Sequence, residues 1–469
     1  MPVRSTLRYE MMLAGGFTKR PAIREDFKGE TQLLCSGNLS AREPTVRKTS
    51  SVMRDRTIGA WLAPAFLLLL TSGCTTAQRY VVRPVIALTS FGISQDSVFS
   101  DLARAEGPTE PGTWNFETPH RLRPCCAFGT ELGARVGYLP IAGLKLENIV
   151  DLHDLGTHQY NNGLVSLQNE PSNAFISSEK NGLIYTCRGA FIDTAHVRDH
   201  ADWMVYLVGR IRPMVDGGGI IVLPSEGGDR YLYVGSIRPD LIEQLGREEI
   251  AIRLAQWATI HLAIWHETAT WYGWSSWGMF PETASAFSPE DIYSDLVGVL
   301  LASELIREDL ADNEAQYNAA MNVAFPEVLR RLGGAPVNVT RAAIFSVDGR
   351  WWDSHRLLPD KEVVIRRSFD IGPELAPWKP PMTHNTNSRV VRDYCEDMRM
   401  LSLRYPMTID DEPLQYMVRL EVHPDAKLAA RVGSQKVDGI WVSQEEFPQI
   451  VKRAHAENRQ EFGVDSDHP

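Results

Sequence analysis

Apolar positions recur with helical spacing at Trp203, Met204, Leu207, Val208 and Ile211, an i, i+3, i+4 stripe that predicts a buried helical face in the region after Cys187. A second helix is expected from about Arg247 to Tyr272, apolar on nearly every side from Trp257 to Trp265, with Gly273 placed as its C-terminal stop. A third is expected at "SPEDIYSDLVGVLLASELI", with Ser288 as N-cap, Pro289 at the first helical position and Asp291 closing a capping box. A fourth covers roughly Asn313 to Leu332. Between the first two, "GGGIIVLPSEGGDRYLYVG" (217–235) reads as a β-hairpin, two apolar runs around a polar turn. "YVVRPVIALTSFG" (80–92) also looks like a strand.

Beyond residue 335 the pattern changes. Short strand-like runs, "AAIFSV", "KEVVIRRSFDI" and "YMVRLEVH", alternate with turns, "GPELAPWKPP" is a Pro-rich connector, and a last helix is expected from Ser443, paired with Glu446 as a capping box. There is no internal repeat. The expected class is α+β: a main domain over 74–335 with a helical centre of three to four packed helices and a hairpin, and a smaller mixed C-terminal part over 336–469.

The N-terminal third adds a targeting signal. Arg54 and Arg56 precede the short apolar run Trp61–Leu70, and "TSGC" follows it, which reads as a signal peptide over 53–73 with Cys74 as the lipidated first residue of the mature chain. Such signals usually carry Leu three residues before the cysteine, where Thr71 stands here. Met53 falls where the charged region should begin, so residues 1–52 are expected to be an over-extended, disordered start. The protein is then exported, periplasmic and anchored to the outer membrane through Cys74. From Cys74 onward the chain carries 37 basic and 53 acidic residues, a net charge of −16, which argues against a nucleic-acid partner. Cys125 or Cys126 with Cys187 is a plausible disulfide in that compartment.

In "FIDTAHVRDHADW", Asp193, His196 and His200 continue the apolar stripe of Met204, Leu207 and Ile211, so polar groups take an inward-facing side. Buried unpaired they cost several kcal/mol, so they need a metal, an ion pair or a hydrogen-bond network. Helix packing fixed by local ion pairs competes evenly with metal binding. "HLAIWHETATWYGWSSWG" (261–278) opens like the zinc-protease motif H-E-x-x-H, but Thr270 replaces the second histidine, so this stretch alone cannot hold zinc. Glu267 also lines up with Glu249, Arg253 and Gln256, which suggests an exposed position. In the third helix Asp295 shares a stripe with Ile292, Leu296 and Val299 and should point inward, toward His266 or a local partner.

These residues suggest one site assembled from three helices, with His196, His200 and His266 as metal ligands, zinc favoured, and Glu267 or Asp295 as the catalytic carboxylate. The activity would be metal-dependent hydrolysis of an envelope substrate: a peptide, a peptidoglycan stem or a lipid ester. Two alternatives stand beside it. One is a binding or scaffold protein, with Trp257, Trp265, Trp271, Trp274 and Trp277 forming a core or a carbohydrate-stacking surface. The other is a thiol hydrolase using Cys126 with His196 or His200. Nucleotide-binding and serine-hydrolase motifs are absent. Together, "RPCCAFG", "FIDTAHVRDHADW", "HETATWYGWSS" and "SAFSPEDIYSDLVG" resemble an uncharacterised bacterial lipoprotein family, the domain of unknown function DUF4056, over roughly residues 115–305. The resemblance implies an envelope location and supplies no activity, fold or catalytic residue.

Overall fold

The computed structural model describes residues 89–91, 114–125, 130–167, 179–276, 282–381, 383–396, 398–433 and 439–463. The signal region, Cys74, Cys126, Trp277 and most of the run expected as a strand at 80–92 lie outside them; the end of that run, Thr89–Phe91, is a 3-10 turn. The fold is α+β, and Gln78–Pro469 packs as one unit.

Three long helices make the centre. The helix α1 (Thr194–Ile211) packs against both α3 (Arg247–Trp271) and α4 (Asp291–Arg307), which also touch each other, while α2 (Pro239–Leu245) precedes α3. Their interior is closed by Leu207, Val208, Leu254, Ile260, Leu296 and Leu301, all fully buried. Polar residues inside this bundle satisfy themselves locally: the Thr259, Thr268 and Ser303 hydroxyls donate to carbonyls four residues back, and Gln256 Nε2 bridges to Ser303 Oγ at 2.9 Å. One position sets the helix spacing. A Cβ on Gly298 of α4 would stand 2.1 Å from the Val197 carbonyl oxygen of α1, so only glycine permits this approach.

The hairpin forms as expected, Gly219–Leu223 with Gly228–Val234, and the C-terminal strand Val418–Pro424 pairs antiparallel beside it, with Trp441–Val442 at the far edge. Period-two alternation puts Arg230, Leu232 and Val234 inward, opposite Val422, Leu420 and Val418. A smaller sheet joins Thr130–Val136 to Leu139–Pro140, Leu146–Glu147 and Leu357–Leu358.

Several local expectations are corrected. The segment after Cys187 first makes a short antiparallel pair, Leu183–Thr186 with Ala190–Asp193, and α1 begins only at Thr194. Asp193 is therefore the N-cap, its carboxylate accepting from Ala195 N at 2.8 Å, rather than a residue on the helical face. The third helix starts two residues late, at Asp291. Asp291 still reaches back to the Ser288 amide at 2.7 Å, but this closes a turn ahead of the helix rather than a capping box. "AAIFSV" lies in helix α6 (Val337–Val347), which follows α5 (Glu314–Arg331). Val339, Ala342, Ala343 and Ile344 bury one helical face there, so packing overrides β-branched propensity. "KEVVIRRSFDI" makes a 3-10 turn and irregular chain, not a strand, because Arg367 is drawn wholly inside to hold main-chain carbonyls. After α7 (Thr386–Cys395) and α8 (Ala426–Val432), the last helix, α9, runs Phe447–Phe462 with Glu446 as N-cap.

The disulfide joins Cys187 to Cys395, 208 residues apart, not to Cys125 or Cys126. The turn carrying Cys187 lies against Gly333, and α6 and α7 pack together, which brings Cys395 into reach. Trp257, Trp265 and Trp271 are core residues and Trp274 is half-buried, so no stacking surface forms from these four. Among the described residues no helix is long and apolar enough to cross a membrane.

Candidate metal centre in the central cavity

A cavity of about 520 Å³ opens beside the three-helix centre, lined among others by Cys125, His196, His200, Glu226, Arg230, His266, Glu267 and Asp291. The i, i+4 spacing of His196 and His200 on α1 aims both rings toward α4, and the Gly298 contact brings Asp295 between them. Asp295 Oδ1 stands 2.9 Å from His196 Nδ1 and 2.6 Å from His200 Nδ1, wholly buried. Burial would raise the Asp295 pKa, but the charges of His200 and His196 overrule it and hold the carboxyl down at about 2.

With Nδ1 committed to Asp295, the second ring nitrogen of His196 faces the cavity. His196 Nε2 lies 3.7 Å from Asp291 Oδ1, and the thiol of Cys125 hydrogen-bonds the ring and stands 4.0 Å from that same oxygen. Cys125, Asp193, His196 and Asp291 each offer one ligand atom, all within 4.8 Å of one another. His196, His200 and Asp295 form a second such group. A carboxylate that accepts from the far nitrogen of a ligating histidine is the usual support of a metal site.

The electrostatics of the first group want a cation. Burial raises the Asp291 pKa well above the ordinary range, and Glu267, Glu290 and Asp295 raise it further, against the opposing pull of His196. Glu290 is likewise pushed to about 7, by burial and then by Asp193. Burial lowers the His196 pKa, but Asp295 and Asp291 together carry it well above its ordinary value. Burial, Asp291 and Asp193 push the Cys125 thiol up. Several carboxyl groups and a thiol are thus crowded where only protons or a cation make their proximity tolerable. The donor set, one imidazole, one thiol and two carboxylates, fits a divalent ion of zinc type.

The remaining expected residues take different places. His266 belongs to neither ligand group. Its Nδ1 binds Glu226 Oε1 at 2.5 Å, its ring centre stands 6.5 Å from that of His196, and its side chain is 22% exposed. Burial lowers the His266 pKa, but Glu226 overrules it and lifts it to about 9, so this ring is a cation at neutral pH. Glu267 is buried, not exposed: the wet stripe of Glu249 and Arg253, tied to Arg307, ends before Gln256, and the chain at 284–288 covers the far end of α3. There Glu267 Oε2 accepts from Phe287 N at 2.5 Å, and Arg367 secures the covering segment through the Ala286 and Ala284 carbonyls. Asp295 meets His196 and His200 rather than His266.

Glu226 and Arg230 escaped the reading of the sequence. Glu226 sits in a polar hairpin turn, a place that ordinarily signals exposure, yet it is 2% exposed and paired with Arg230 Nη1. Arg230 did leave a signal, since alternation places it on the apolar face with Leu232 and Val234. Asp291 also falls one turn before Asp295 on the same helical face.

No curated protein and no solved structure shows a detectable match to this chain. A family model described as "Protein of unknown function (DUF4056)" matches residues 113–381, a span that holds the complete ligand group and every cavity residue named above. The chain belongs to the DUF4056 family.

Proposed function

We propose that the chain is a metal-dependent hydrolase of the cell envelope, carrying a divalent ion, zinc favoured, on His196 Nε2, Cys125, Asp193 and Asp291. The observation that carries this reading is the convergence of these four ligand atoms, three of them from the cavity-lining residues Cys125, His196 and Asp291, with Asp295 fixing the His196 ring from behind. In the second group the atoms lie 2.6 and 2.9 Å apart in hydrogen bonds, closer than ligands spread around one ion, so Asp295 supports rather than ligates. A bound ion supplies Lewis acidity and makes water a nucleophile near neutral pH. Glu267, which lines the cavity beside Asp291, is the proton acceptor in this proposal. His266, kept protonated by Glu226, gives a proton to the leaving group. His200 shares Asp295 and holds its orientation. The pattern from Met53 to Cys74 supports export and a lipid anchor at Cys74.

A second reading uses the same atoms. Cys125, His196 and Asp295 have the order of a thiol, a base and an orienting carboxylate. Burial and Asp291 push that thiol up, away from the thiolate the chemistry needs, which favours the metal reading. Elemental analysis separates them. The purified chain should hold near-stoichiometric transition metal, lost in His196→Ala and in Asp291→Asn. Metal-free protein whose activity is abolished by thiol alkylation would sink the metal reading and support the thiol one.

A further inference from the structure

The cavity draws its walls from two chemically different sources. Most of its titratable groups stand on α1, α3, α4 and the hairpin, with Arg123, Cys125 and Glu282 on the loops beside them. Five leucines, Leu122, Leu146, Leu164, Leu167 and Leu358, come instead from the strands and loops outside that centre, and each is only half-buried. Five leucines that leave surface open to one cavity forgo the transfer free energy that burial would give them, which an apolar ligand restores. At about 520 Å³ the cavity is of small-ligand size. Among the described residues that line it, Trp203 is the single indole or phenyl ring, so these residues offer little for stacking on a sugar.

From this we infer that the substrate carries an aliphatic acyl chain, seated on the leucines, with its ester carbonyl at the His196 end of the cavity. The cleavage rests on the hydrolase reading above; the seating of the chain does not. In hydrolysis the oxygen of water bonds to the acyl carbon and the carbon–oxygen bond to the alcohol breaks. The alcohol takes one of water's two protons, and the acid releases the other.

The adjoining sheet points the same way. Leu146–Glu147 and Leu357–Leu358 both pair with Thr130–Val136, whose own turn exposes Tyr138 at 98%, Leu139 at 76% and Val136 at 64%. An exposed apolar turn carrying a tyrosine, continuous with the leucine-bearing strands, suits contact with a bilayer surface, where acyl chains are found.

The test uses the full-length chain with Cys74→Ser, so that no lipid of its own competes. Saturated fatty acids from butyrate to dodecanoate displace a fluorescent fatty acid, which reads chain binding without turnover. Affinity should rise about fourfold per added methylene until the cavity fills. Leu146→Asp and Leu358→Asp should weaken dodecanoate at least about tenfold with metal content retained, while His196→Ala loses metal but keeps the dependence of affinity on chain length. Affinity independent of chain length in the parent, or aspartate variants that bind like the parent, would overturn the inference. Chain-length-dependent binding by a parent that never takes up metal would uphold it while the hydrolase reading fails.

Discussion

Replacing Arg123 by methionine keeps the side-chain volume but removes a charge and five hydrogen-bond donors. All five are engaged. Nε and Nη2 hold Glu179 at 2.6 and 2.8 Å, Nη1 holds Asp199 at 2.6 Å and Asp202 at 2.9 Å, and Nη2 also reaches the Gln159 carbonyl at 2.7 Å. The guanidinium is inside the protein, two residues before Cys125, so it pins the cavity wall to α1. Without it the three carboxylates keep neutral donors such as the Tyr317 hydroxyl and the Asn161 and Gln159 amides, but their nearest remaining basic groups are His158, 3.2 Å from Asp202, and Arg198, 3.6 Å from Glu179. Removing one partner of a buried pair costs about 3–5 kcal/mol, and three buried carboxylates that lose their guanidinium place R123M at the upper end of that range. The measurement is urea unfolding followed by tryptophan fluorescence. The sign of the pH dependence is fixed: in the variant the carboxyls have folded-state pKa values above their unfolded ones, so the folded state binds more protons and loses stability as pH rises. Even in the parent, burial holds Asp199 up at about 6 against the pull of Arg123. The deficit of R123M should therefore be largest near pH ~7.5 and shrink toward pH ~5. A loss below about 1 kcal/mol, or a deficit equal at both values, would refute the reasoning.

Two other perturbations probe the helical centre. G298A pushes a methyl against the Val197 carbonyl, so it should cost about 2–3 kcal/mol and lower metal content, because α4 carries Asp291 and Asp295; a variant as stable as the parent would contradict the close approach. His261 is buried, stacked on Trp257 and bonded to its carbonyl, and burial holds its pKa down at about 4 against that bond. A folded value below the unfolded one gives stability that is present above pH ~6.5 and is lost as pH falls through about 4, worth about 3 kcal/mol. H261Q should unfold with a flatter pH profile across that window, and profiles parallel to the parent's would count against a buried neutral imidazole.

Long periodic elements were legible in the sequence because they carry redundant signals. Helix α3 runs Arg247–Trp271 against an expected Arg247 to Tyr272, and α5 is capped by Asn313. His196 and His200 face inward because they continue the stripe of Met204 and Leu207, and this much of the site follows from spacing alone. What spacing does not encode is the partner across a tertiary contact. Cys395 meets Cys187 only because α6 packs on α7, and Asp295 meets His200 rather than His266 only because Gly298 lets α4 close on α1. Glu226 was hidden for another reason. Its turn has the composition of an exposed loop, and only the pull of Arg230 and His266 draws it inside.

The proposed ligand set is tested most directly by cobalt(II). Cobalt loaded into the full-length chain should bind one equivalent and show a thiolate-to-metal charge-transfer band in its absorption spectrum. That band should be absent in Cys125→Ser, and binding itself should be lost in His196→Ala. Cobalt that does not bind, or binds with a spectrum unchanged by Cys125→Ser, would contradict a metal centre built on Cys125 and His196.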